Sequence, residues 1–214
     1  MDKPDWSGRT VVCIASGPSL TYEDCSKVGE SGLTAIVTNT SFRMCKWADA
    51  LFAFDARWWK HYYSEVSEVF RGRLFSYGPD LGFPRLESLK RSTWFNNFGN
   101  SGACAIGLAI GCGADRIILL GYDCQVNGKT HWHGDHPPGF SNVASIKRWP
   151  AQFRTMADNA KREGVEIINV SRETSLTCFE RREFGEIFEK DTFRQGVGGL
   201  GLPSVSSQAS DRAG

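Results

Sequence analysis

The stretch that decides the fold runs from Val11 to Leu20 and reads Val-Val-Cys-Ile-Ala-Ser-Gly-Pro-Ser-Leu. Its first five residues are apolar, and the run breaks at Ser16-Gly17-Pro18-Ser19 before a segment of helical character. This order is typical of a buried parallel strand that passes through a tight turn into a helix. Such a turn offers backbone N–H groups and the positive end of a helix dipole to an anion, usually a phosphate. The stretch therefore predicts a nucleotide or another phosphoester as the ligand.

Composition limits the class of protein. The 214 residues can bury a sizeable core, and 41% hydrophobic with 23% charged residues is ordinary for a soluble globular domain. A formal net charge of +1 gives no bulk field that would attract nucleic acid or a membrane surface, so neither is expected as a partner. The first residues lack the apolar segment of a secretion signal, and no run approaches the roughly 20 apolar residues that cross a bilayer. We expect a cytoplasmic protein, or one in the host cytoplasm if it is phage-encoded.

The seven cysteines do not form a recognisable framework. Their number is odd, they are scattered, and no Cys-x-x-Cys pair occurs. Neither disulfides nor a cysteine-based zinc cluster is expected.

Apolar runs alternate with amphipathic segments along the chain, which predicts an α/β fold: a Rossmann-like, mostly parallel sheet flanked by helices in a single domain. Predicted strands cover 11–15, 33–38, 50–54, 72–76, 116–120 and 165–169. Predicted helices cover 21–28, 41–47, 56–70, 101–113 and 147–163, and residues 77–100 are predicted as loop. The nucleotide-binding domain should span 1–195 with a histidine-rich loop at 122–146, and the Gly/Ser-rich residues 196–214 should form a disordered tail.

Polar residues follow four of the predicted strands. Ser16-Gly17-Pro18-Ser19 follows the first, Asn39 the second, Asp55 the third and Asp123 the fifth. Because the carboxyl ends of parallel strands share one edge, these residues are predicted to line a common ligand site. Asn39 and Asp55 could instead only cap the helices that follow them.

Asn100-Ser101-Gly102 precedes a helix rich in Ala and Gly. These residues could merely cap that helix. Ser101 and Gly102 could also let a phosphate or ribose approach closely, because they present amides without bulk.

Residues 131–136 read His-Trp-His-Gly-Asp-His and contain three of the four histidines. One of His131, His133 and His136 could act as a general base, with Asp123 orienting it or binding the substrate. The same residues could ligate a divalent metal, or they could simply bond to the backbone of a polar loop. The alternatives stay open at this stage.

Trp58, Trp59, Tyr62 and Tyr63 fall on the predicted helix after Asp55. Their spacing indicates core packing or a dimer surface, so a homo-oligomer also stays open.

Several of these motifs resemble a known family. Residues 14–20 resemble the Gly-x-Gly-Pro-Ser-Leu turn of the bacterial family 42 sialyltransferases, and residues 101–123 resemble their Ser-Gly helix and the strand end that follows it. Asn39 falls where those enzymes carry an Asn. The archaeal hydroxymethylpterin pyrophosphokinases have a related nucleotide-binding layout, and the whole chain resembles a group of small phage-encoded proteins.

The resemblance implies a CMP-sugar donor, inversion at the sugar, a histidine general base and no metal requirement. It also implies that the nucleotide is lined by Ser16, Gly17, Ser19, Asn39, Ser101 and Gly102; the turn adds Pro18. Asp55 stands where the family has an Asn, and a carboxylate there would repel a diphosphate unless it bound a metal or ribose hydroxyls.

Three functions follow from these patterns. The first is a glycosyltransferase-like enzyme that uses a nucleotide-activated sugar. The second is a metal-dependent phosphoryl or pyrophosphoryl transfer enzyme, in which Asp55 and Asp123 are the candidate ligands of Mg²⁺ or Mn²⁺. The third is a non-catalytic phage protein that sequesters a nucleotide signal.

Overall fold

The computed structural model describes residues 2–125, 128–140 and 146–189. Eight strands and five helices occur in this part of the chain. In order they are β1 (Thr10–Ile14), α1 (Tyr22–Glu30), β2 (Thr34–Thr38), β3 (Ala50–Phe52), α2 (Ala56–Val69), β4 (Arg73–Ser76), β5 (Leu86–Ser88), α3 (Ser101–Gly111), β6 (Arg116–Leu120), α4 (Trp149–Arg162), β7 (Glu166–Asn169), β8 (Glu180–Arg181) and α5 (Phe184–Phe188). Short 3₁₀ turns cover Asn39–Arg43, Leu89–Arg91 and Ile146–Arg148.

The strands form one sheet in the order β5-β4-β3-β2-β1-β6-β7-β8. Every neighbouring pair is parallel. The chain moves outward from β1 to β5 and then returns to place β6 on the other side of β1. This is a Rossmann-like α/β fold, as the sequence predicts. The order reverses between β1 and β6, and in open α/β sheets a crevice forms at the carboxyl ends of the strands at such a point.

Alternate residues of β1 supply the two layers of the core. Val11 and Cys13 face the layer that contains buried residues of α3 and α4, such as Phe153. Val12 and Ile14 face the opposite layer, which contains buried residues of α1, α2 and α5. A strand covered on both faces is apolar at nearly every position, which explains the continuous apolar run at residues 11–15.

Helix α3 lies close to its neighbours because its side chains are small. A Cβ added to Gly107 would lie 2.8 Å from the Phe98 ring, and one added to Gly111 would lie 2.5 Å from the Trp94 carbonyl oxygen. The small residues of this helix therefore allow close packing, and its first turn lies at the crevice.

Some predicted elements are wrong. The helix predicted at 41–47 is a 3₁₀ turn at Asn39–Arg43, and the predicted loop 77–100 contains β5 and a second 3₁₀ turn. The sequence analysis also missed β8 and α5. Strands β5 and β8 have only three and two residues and lack a continuous apolar run, so the sequence contains little pattern that would predict them.

Other predictions fall outside the described residues, namely the tail at 196–214 and the parts of the histidine-rich loop at 126–127 and 141–145. All seven cysteines are free thiols. In the described part of the chain, no helix combines the length and the apolar character needed to span a membrane.

Candidate functional site

A cleft of about 240 Å³ lies at the carboxyl ends of the central strands. Segments that follow the central strands line one part of it: Ala15–Pro18 after β1, Thr38 and Asn39 at the end of β2, and Gly121, Tyr122, Cys124 and Gln125 after β6. Helices line another part: Phe54, Asp55 and Trp58 around the start of α2, Gly99–Gly102 at the start of α3, and Trp149 and Phe153 of α4. The histidine-rich loop adds Thr130, His131, His136 and Phe140. Most of the predicted site residues meet here. Three of them, Ser19, Asp123 and His133, do not line the cleft.

The turn after β1 borders the cleft, but the backbone N–H groups of Gly17 and Ser19 are already bonded. Gly17 N donates to the Gly121 carbonyl oxygen at 2.8 Å, and Leu20 N donates to the Gly17 carbonyl oxygen at 3.1 Å. The Ser19 backbone N–H and hydroxyl each donate to the Asp123 carboxylate at 2.8 Å. These bonds do not support the prediction that the turn amides hold a phosphate, because a carboxylate of the chain itself occupies the place of the anion.

Asp123 therefore has a structural role in the turn. It is fully buried, and a Cβ added to Gly17 would lie 2.1 Å from its Oδ1 atom. Burial raises the pKa of the Asp123 carboxyl, and the two hydrogen bonds from Ser19 oppose that rise. Its bonds to Ser19 leave no support for the predicted roles as a metal ligand or as the group that orients a histidine.

Asn39 and Ser101 connect the second strand to α3 across the cleft. The Ser101 hydroxyl donates to Asn39 Oδ1 at 3.2 Å and accepts from Phe54 N at 3.1 Å. Asn39 adopts a φ of 48°, a left-handed conformation that Asn tolerates better than most residues. Asn39 does not cap the following turn through its side chain. The predicted ligand residues are thus held in place by each other.

Asp55 and Asn100 do cap helices, as the alternative interpretation held. Asp55 Oδ1 accepts from Arg57 N at 2.7 Å at the start of α2. Asn100 Oδ1 accepts from Ala103 N at 2.9 Å, and its amide donates to Gln152 of α4 at 2.8 Å. Both residues also line the cleft, so capping and ligand contact are compatible.

The N-terminus of α3 lies at the cleft and suits an anion. Its first turn, which contains Ser101 and Gly102, has no acidic residue, whereas the first turn of α1 contains Glu23 and Asp24. The partial positive charge of a helix N-terminus favours a negative group. Ser101 and Gly102 line the cleft at this helix end, and their place beside a phosphate stays a prediction.

The histidine-rich loop is fixed to the first turn through Trp132. Its backbone N–H donates to the Ser16 carbonyl oxygen at 3.2 Å, and its indole N–H donates to the Ser41 hydroxyl at 3.3 Å. The Trp132 ring also meets the edge of Tyr22 at 5.8 Å between centroids. These contacts hold the neighbouring histidines over the cleft.

His131, His133 and His136 form a cluster, called the histidine cluster below. Their ring centroids lie 5.2 Å apart for His131 and His133, 4.8 Å for His131 and His136, and 4.9 Å for His133 and His136. The Nε2 atoms of His131 and His133 are buried and have no hydrogen-bond partner among the described residues. The sequence predicted that these residues matter, but not that they would contact one another.

All three imidazoles of the histidine cluster are neutral at pH 7. Burial, followed by repulsion from His136, lowers the pKa of His131 to about 4, and a hydrogen bond with the Ser16 backbone opposes this. Burial and the two neighbouring imidazoles lower the pKa of His133 to about 4 as well. Burial also lowers the pKa of His136, with Asp135 acting in the opposite direction. A neutral imidazole can accept a proton, which a general base must do.

The predicted cation site between Asp55 and Asp123 is not formed. Asp55 caps α2, and Asp123 bonds to Ser19. Within residues 2–125, 128–140 and 146–189, no three His, Cys, Asp or Glu side chains are arranged to hold a metal ion. The described side chains thus give no support to a bound Mg²⁺ or Mn²⁺, and metal dependence stays a prediction.

Sequence reasoning missed the aromatic wall of the cleft. Five aromatic residues from four separate segments line it: Phe54, Tyr122, Phe140, and both Trp149 and Phe153 of α4. No local pattern marks them, because an aromatic residue next to a strand usually indicates only core packing.

Trp58 also belongs to this wall. Of the two interpretations of the aromatic helix, core packing applies to it, since it is only 3% exposed and its ring packs on Trp59 and Tyr62 at 5.0 Å each. Yet it also lines the cleft, and its buried indole N–H has no hydrogen-bond partner among the described residues. It therefore offers a free donor at the site.

Comparisons with known proteins provide no family assignment. No family model matches the chain, and no curated protein matches it. Among solved structures, a metagenomic short-chain oxidoreductase in complex with NADP is 11% identical, with 78% of this chain and 81% of that chain covered and a TM-score of 0.28. A short-chain dehydrogenase from Oenococcus oeni is also 11% identical, with coverage of 88% and 90% and a TM-score of 0.26. A Thermus thermophilus protein soaked with ZnCl₂ is 15% identical, with coverage of 75% and 55% and a TM-score of 0.19.

These likenesses are too low to indicate an activity. The fold assignment rests on the strand order of this chain, and the functional assignment must come from the cleft.

Proposed function

We propose that this chain is a transferase that uses a nucleotide-activated donor, most simply a nucleotide sugar, bound in the cleft between β1 and β6. The proposal rests on the position and the protonation state of His131. This residue lines the cleft as a neutral imidazole whose buried Nε2 has no partner among the described residues. A base in this state, in the same cleft as an acid-free helix N-terminus, suits attack by a hydroxyl on a phosphate-activated group.

The cleft offers a place for each part of such a donor. The aromatic wall suits the base or the sugar, since flat apolar groups pack on aromatic rings. The first turn of α3 suits the phosphate, and the exposed Asp55 carboxylate can accept hydrogen bonds from ribose hydroxyls. The side-chain amide of Asn39 is within the same cleft and can bond to either group.

The proposed reaction uses His131 as the general base. The acceptor hydroxyl transfers its proton to the imidazole while its oxygen forms a bond to the sugar carbon. The bond between that carbon and the phosphate oxygen breaks, and its electron pair stays on the phosphate. General-base catalysis by a positioned side chain contributes roughly 10²- to 10⁴-fold in rate.

The test is turnover of activated donors. Purified protein is incubated with CMP-, UDP- and GDP-sugars, with and without acceptors, and nucleotide release is measured. We expect release from one donor class by the unaltered chain and a loss of roughly 10²- to 10⁴-fold in His131→Gln. His61→Gln is the matched control, because His61 is an exposed histidine outside the cleft lining. Donors that all stay intact under every condition would contradict the proposal.

One observation favours a second candidate, a non-catalytic nucleotide binder. A histidine with a pKa of about 4 is a weak base while the cleft is empty, and a binder needs the cleft but no base. Tight nucleotide binding that persists in His131→Gln, with no turnover by any variant, would favour this candidate. Phage origin and a cytoplasmic location stay predictions under either candidate.

A further inference from the structure

The cleft has no permanent positive charge in its lining. None of the described residues that line it is a lysine or an arginine. Arg43 lies close enough to act on the pKa of His133 and His136, but its guanidinium is bonded to Glu65 at 2.6 Å through two nitrogens. The turn amides that the sequence offered for a phosphate are bonded as well. A phosphorylated ligand, which this inference takes from the proposed function, therefore needs another source of positive charge.

Two kinds of unpartnered nitrogen are available beside the cleft. The Trp58 indole N–H is a buried donor without a partner among the described residues, and the Nε2 atoms of His131 and His133 are buried without one. The ring centroids of Trp58 and His136 lie 5.0 Å and 6.4 Å from that of Tyr62, and both residues line the cleft with His131. Buried polar groups in proteins are nearly always hydrogen-bonded, so orphaned nitrogens on residues that line or adjoin one cleft point to a ligand.

We propose that the histidine cluster and the Trp58 indole N–H bind the anionic phosphate of the ligand, and that the cluster takes up one proton when the anion binds. The chemical class recognised is a phosphate or a similar oxyanion. Each imidazolium nitrogen that carries a proton donates to an oxyanion, and charge-assisted bonds of this kind are roughly twice as strong as neutral ones.

The surroundings explain why the cluster is uncharged when empty and why one proton is taken up rather than three. Burial disfavours every imidazolium, and the rings are only 4.8 to 5.2 Å apart, so a second charge would meet strong repulsion from the first. Asp135, the Arg43–Glu65 pair and Tyr62 lie next to the cluster, and Asp55 lines the same cleft. From α2, Arg57 and His61 contact the loop at Gly139 and Phe140. An anion placed among them favours a single imidazolium.

The inference adds a role to the proposed reaction. Above the pKa of the anion-bound cluster the imidazoles stay neutral, so the cluster can take the proton of the acceptor hydroxyl while the departing phosphate gains the electron pair of the broken bond. Below that pKa the cluster already carries its proton, and His131 cannot act as the base. The imidazolium and the phosphate thus form at the same time and neutralise each other. The free nucleotide product should then bind more tightly at lower pH, together with a proton.

Calorimetric titration tests the inference directly. The probes are nucleoside monophosphates, the matching nucleosides, UDP-glucose and inorganic sulfate, titrated at several pH values in two buffers with different ionisation enthalpies. UDP-glucose and sulfate have no group that titrates near neutral pH, so any proton taken up with them belongs to the protein. Between the pKa of about 4 of the cluster without an anion and the higher pKa of the cluster with one, we expect about one proton taken up per bound anion and an affinity that rises by about tenfold per unit of falling pH. Nucleosides should show neither effect.

Single-residue variants distinguish the role of the histidine cluster from that of the other cleft residues. His131→Gln should abolish the proton uptake, Trp58→Phe should weaken anion binding and leave the uptake, and His61→Gln should change neither. Thermal unfolding of each variant verifies that it is folded; if His131→Gln is not, His133→Gln replaces it.

The outcomes distinguish this inference from the proposed function. A nucleotide that binds with no proton uptake and no pH dependence overturns the inference and leaves the transferase proposal intact. Sulfate that binds with proton uptake, while no nucleotide sugar is ever turned over, supports the inference and counts against the transferase. Binding of no anion, or a stoichiometric metal ion bound to the cluster in the purified protein, overturns the inference.

Discussion

Asp123 acts as a built-in anion for the turn at Gly17. Its carboxylate accepts both hydrogen bonds from Ser19, and Gly17 packs directly against it. The turn motif that suggests phosphate binding is therefore a structural element of this chain. The phosphate of the proposed donor is therefore expected elsewhere along the same cleft, next to α3 and the histidines.

The first prediction concerns Gly17. In Gly17→Ala the added methyl group would lie 2.1 Å from Asp123 Oδ1 and 2.5 Å from the Gly121 carbonyl oxygen, so the turn must shift. We expect a loss of roughly 1–3 kcal/mol in the free energy of unfolding, measured with urea. Gly78→Ala is the control, because a Cβ there meets no atom within 4 Å. Equal stability of the two variants would contradict the close packing of the turn.

The second prediction separates strain from hydrogen bonding at Asn39. Both Asn39→Gly and Asn39→Ala remove the side chain that accepts from Ser101. Only alanine must adopt the φ of 48° with a Cβ, which costs roughly 1–2 kcal/mol for an ordinary residue. We expect Asn39→Ala to unfold more easily than Asn39→Gly by about 1 kcal/mol. The reverse order in urea unfolding would mean that Asn39 is not left-handed.

Individual site residues could be predicted from the sequence only in part. The rule that polar residues follow parallel strands correctly gathers Ser16, Asn39 and Asp55 at one cleft. It does not reveal which side chain bonds to which, so it could not show that Asp123 would bond to Ser19 across 104 positions. Long-range pairing of this kind has no local signal.

At the scale of elements, Trp132 is an anchor of the histidine-rich loop, which Arg57 also contacts at Gly139. Trp132 connects it to Ser16 and Ser41, which belong to the ends of two different strands. Trp132→Phe keeps an aromatic ring and loses the indole N–H, so the loop should open more often at a cost of about 1 kcal/mol. Hydrogen exchange over residues 128–140 should become faster by several-fold. Trp47→Phe, at a 40% exposed position, is the control and should leave that exchange unchanged; unaltered exchange in Trp132→Phe would contradict the anchoring role.

Elements with a strong pattern were predictable, and short ones were not. The helices α2 and α4 and the strands β1 and β6 follow the predicted segments closely because their apolar positions repeat over several turns or form a continuous run. The 3₁₀ turn at Asn39–Arg43 was mistaken for a helix. Its residues suit either form, and the left-handed start at Asn39 is set by the contact with Ser101.

At the scale of the whole molecule, the histidine cluster links stability to pH. The folded pKa of His131 and of His133 is about 4, below the ordinary value of 6.5, so the unfolded chain binds more protons between these limits. The contribution of these two histidines to the free energy of unfolding is therefore fully present above pH 6.5 and is lost as the pH falls from 6.5 towards 4. Each of the two histidines should contribute a loss of at most about 1.4 kcal/mol per pH unit in this window.

Urea unfolding at a series of pH values measures this effect. The slope between pH 6.5 and 4 should be smaller in the double variant His131→Gln/His133→Gln than in the unaltered chain. An unchanged slope in the double variant would mean that these imidazoles titrate normally.

The overall architecture was the most predictable level. Alternating strand and helix patterns require a layered α/β sheet, and the continuous apolar strands require cover on both faces. The aromatic wall and the contacts among the histidines could not be predicted, because they depend on how α2, α4 and the loop meet above the sheet. The lining of the cleft is therefore defined only when these elements pack together.

The most direct test of the account is a crystal structure of the protein grown with the nucleotide sugar that stabilises it most in thermal unfolding. The account predicts density for that ligand in the cleft between Ser16–Pro18 and Asn100–Gly102, with its phosphate at hydrogen-bond distance from the first turn of α3 and from His131 or His136. A ligand bound on another surface while this cleft holds only water would contradict it.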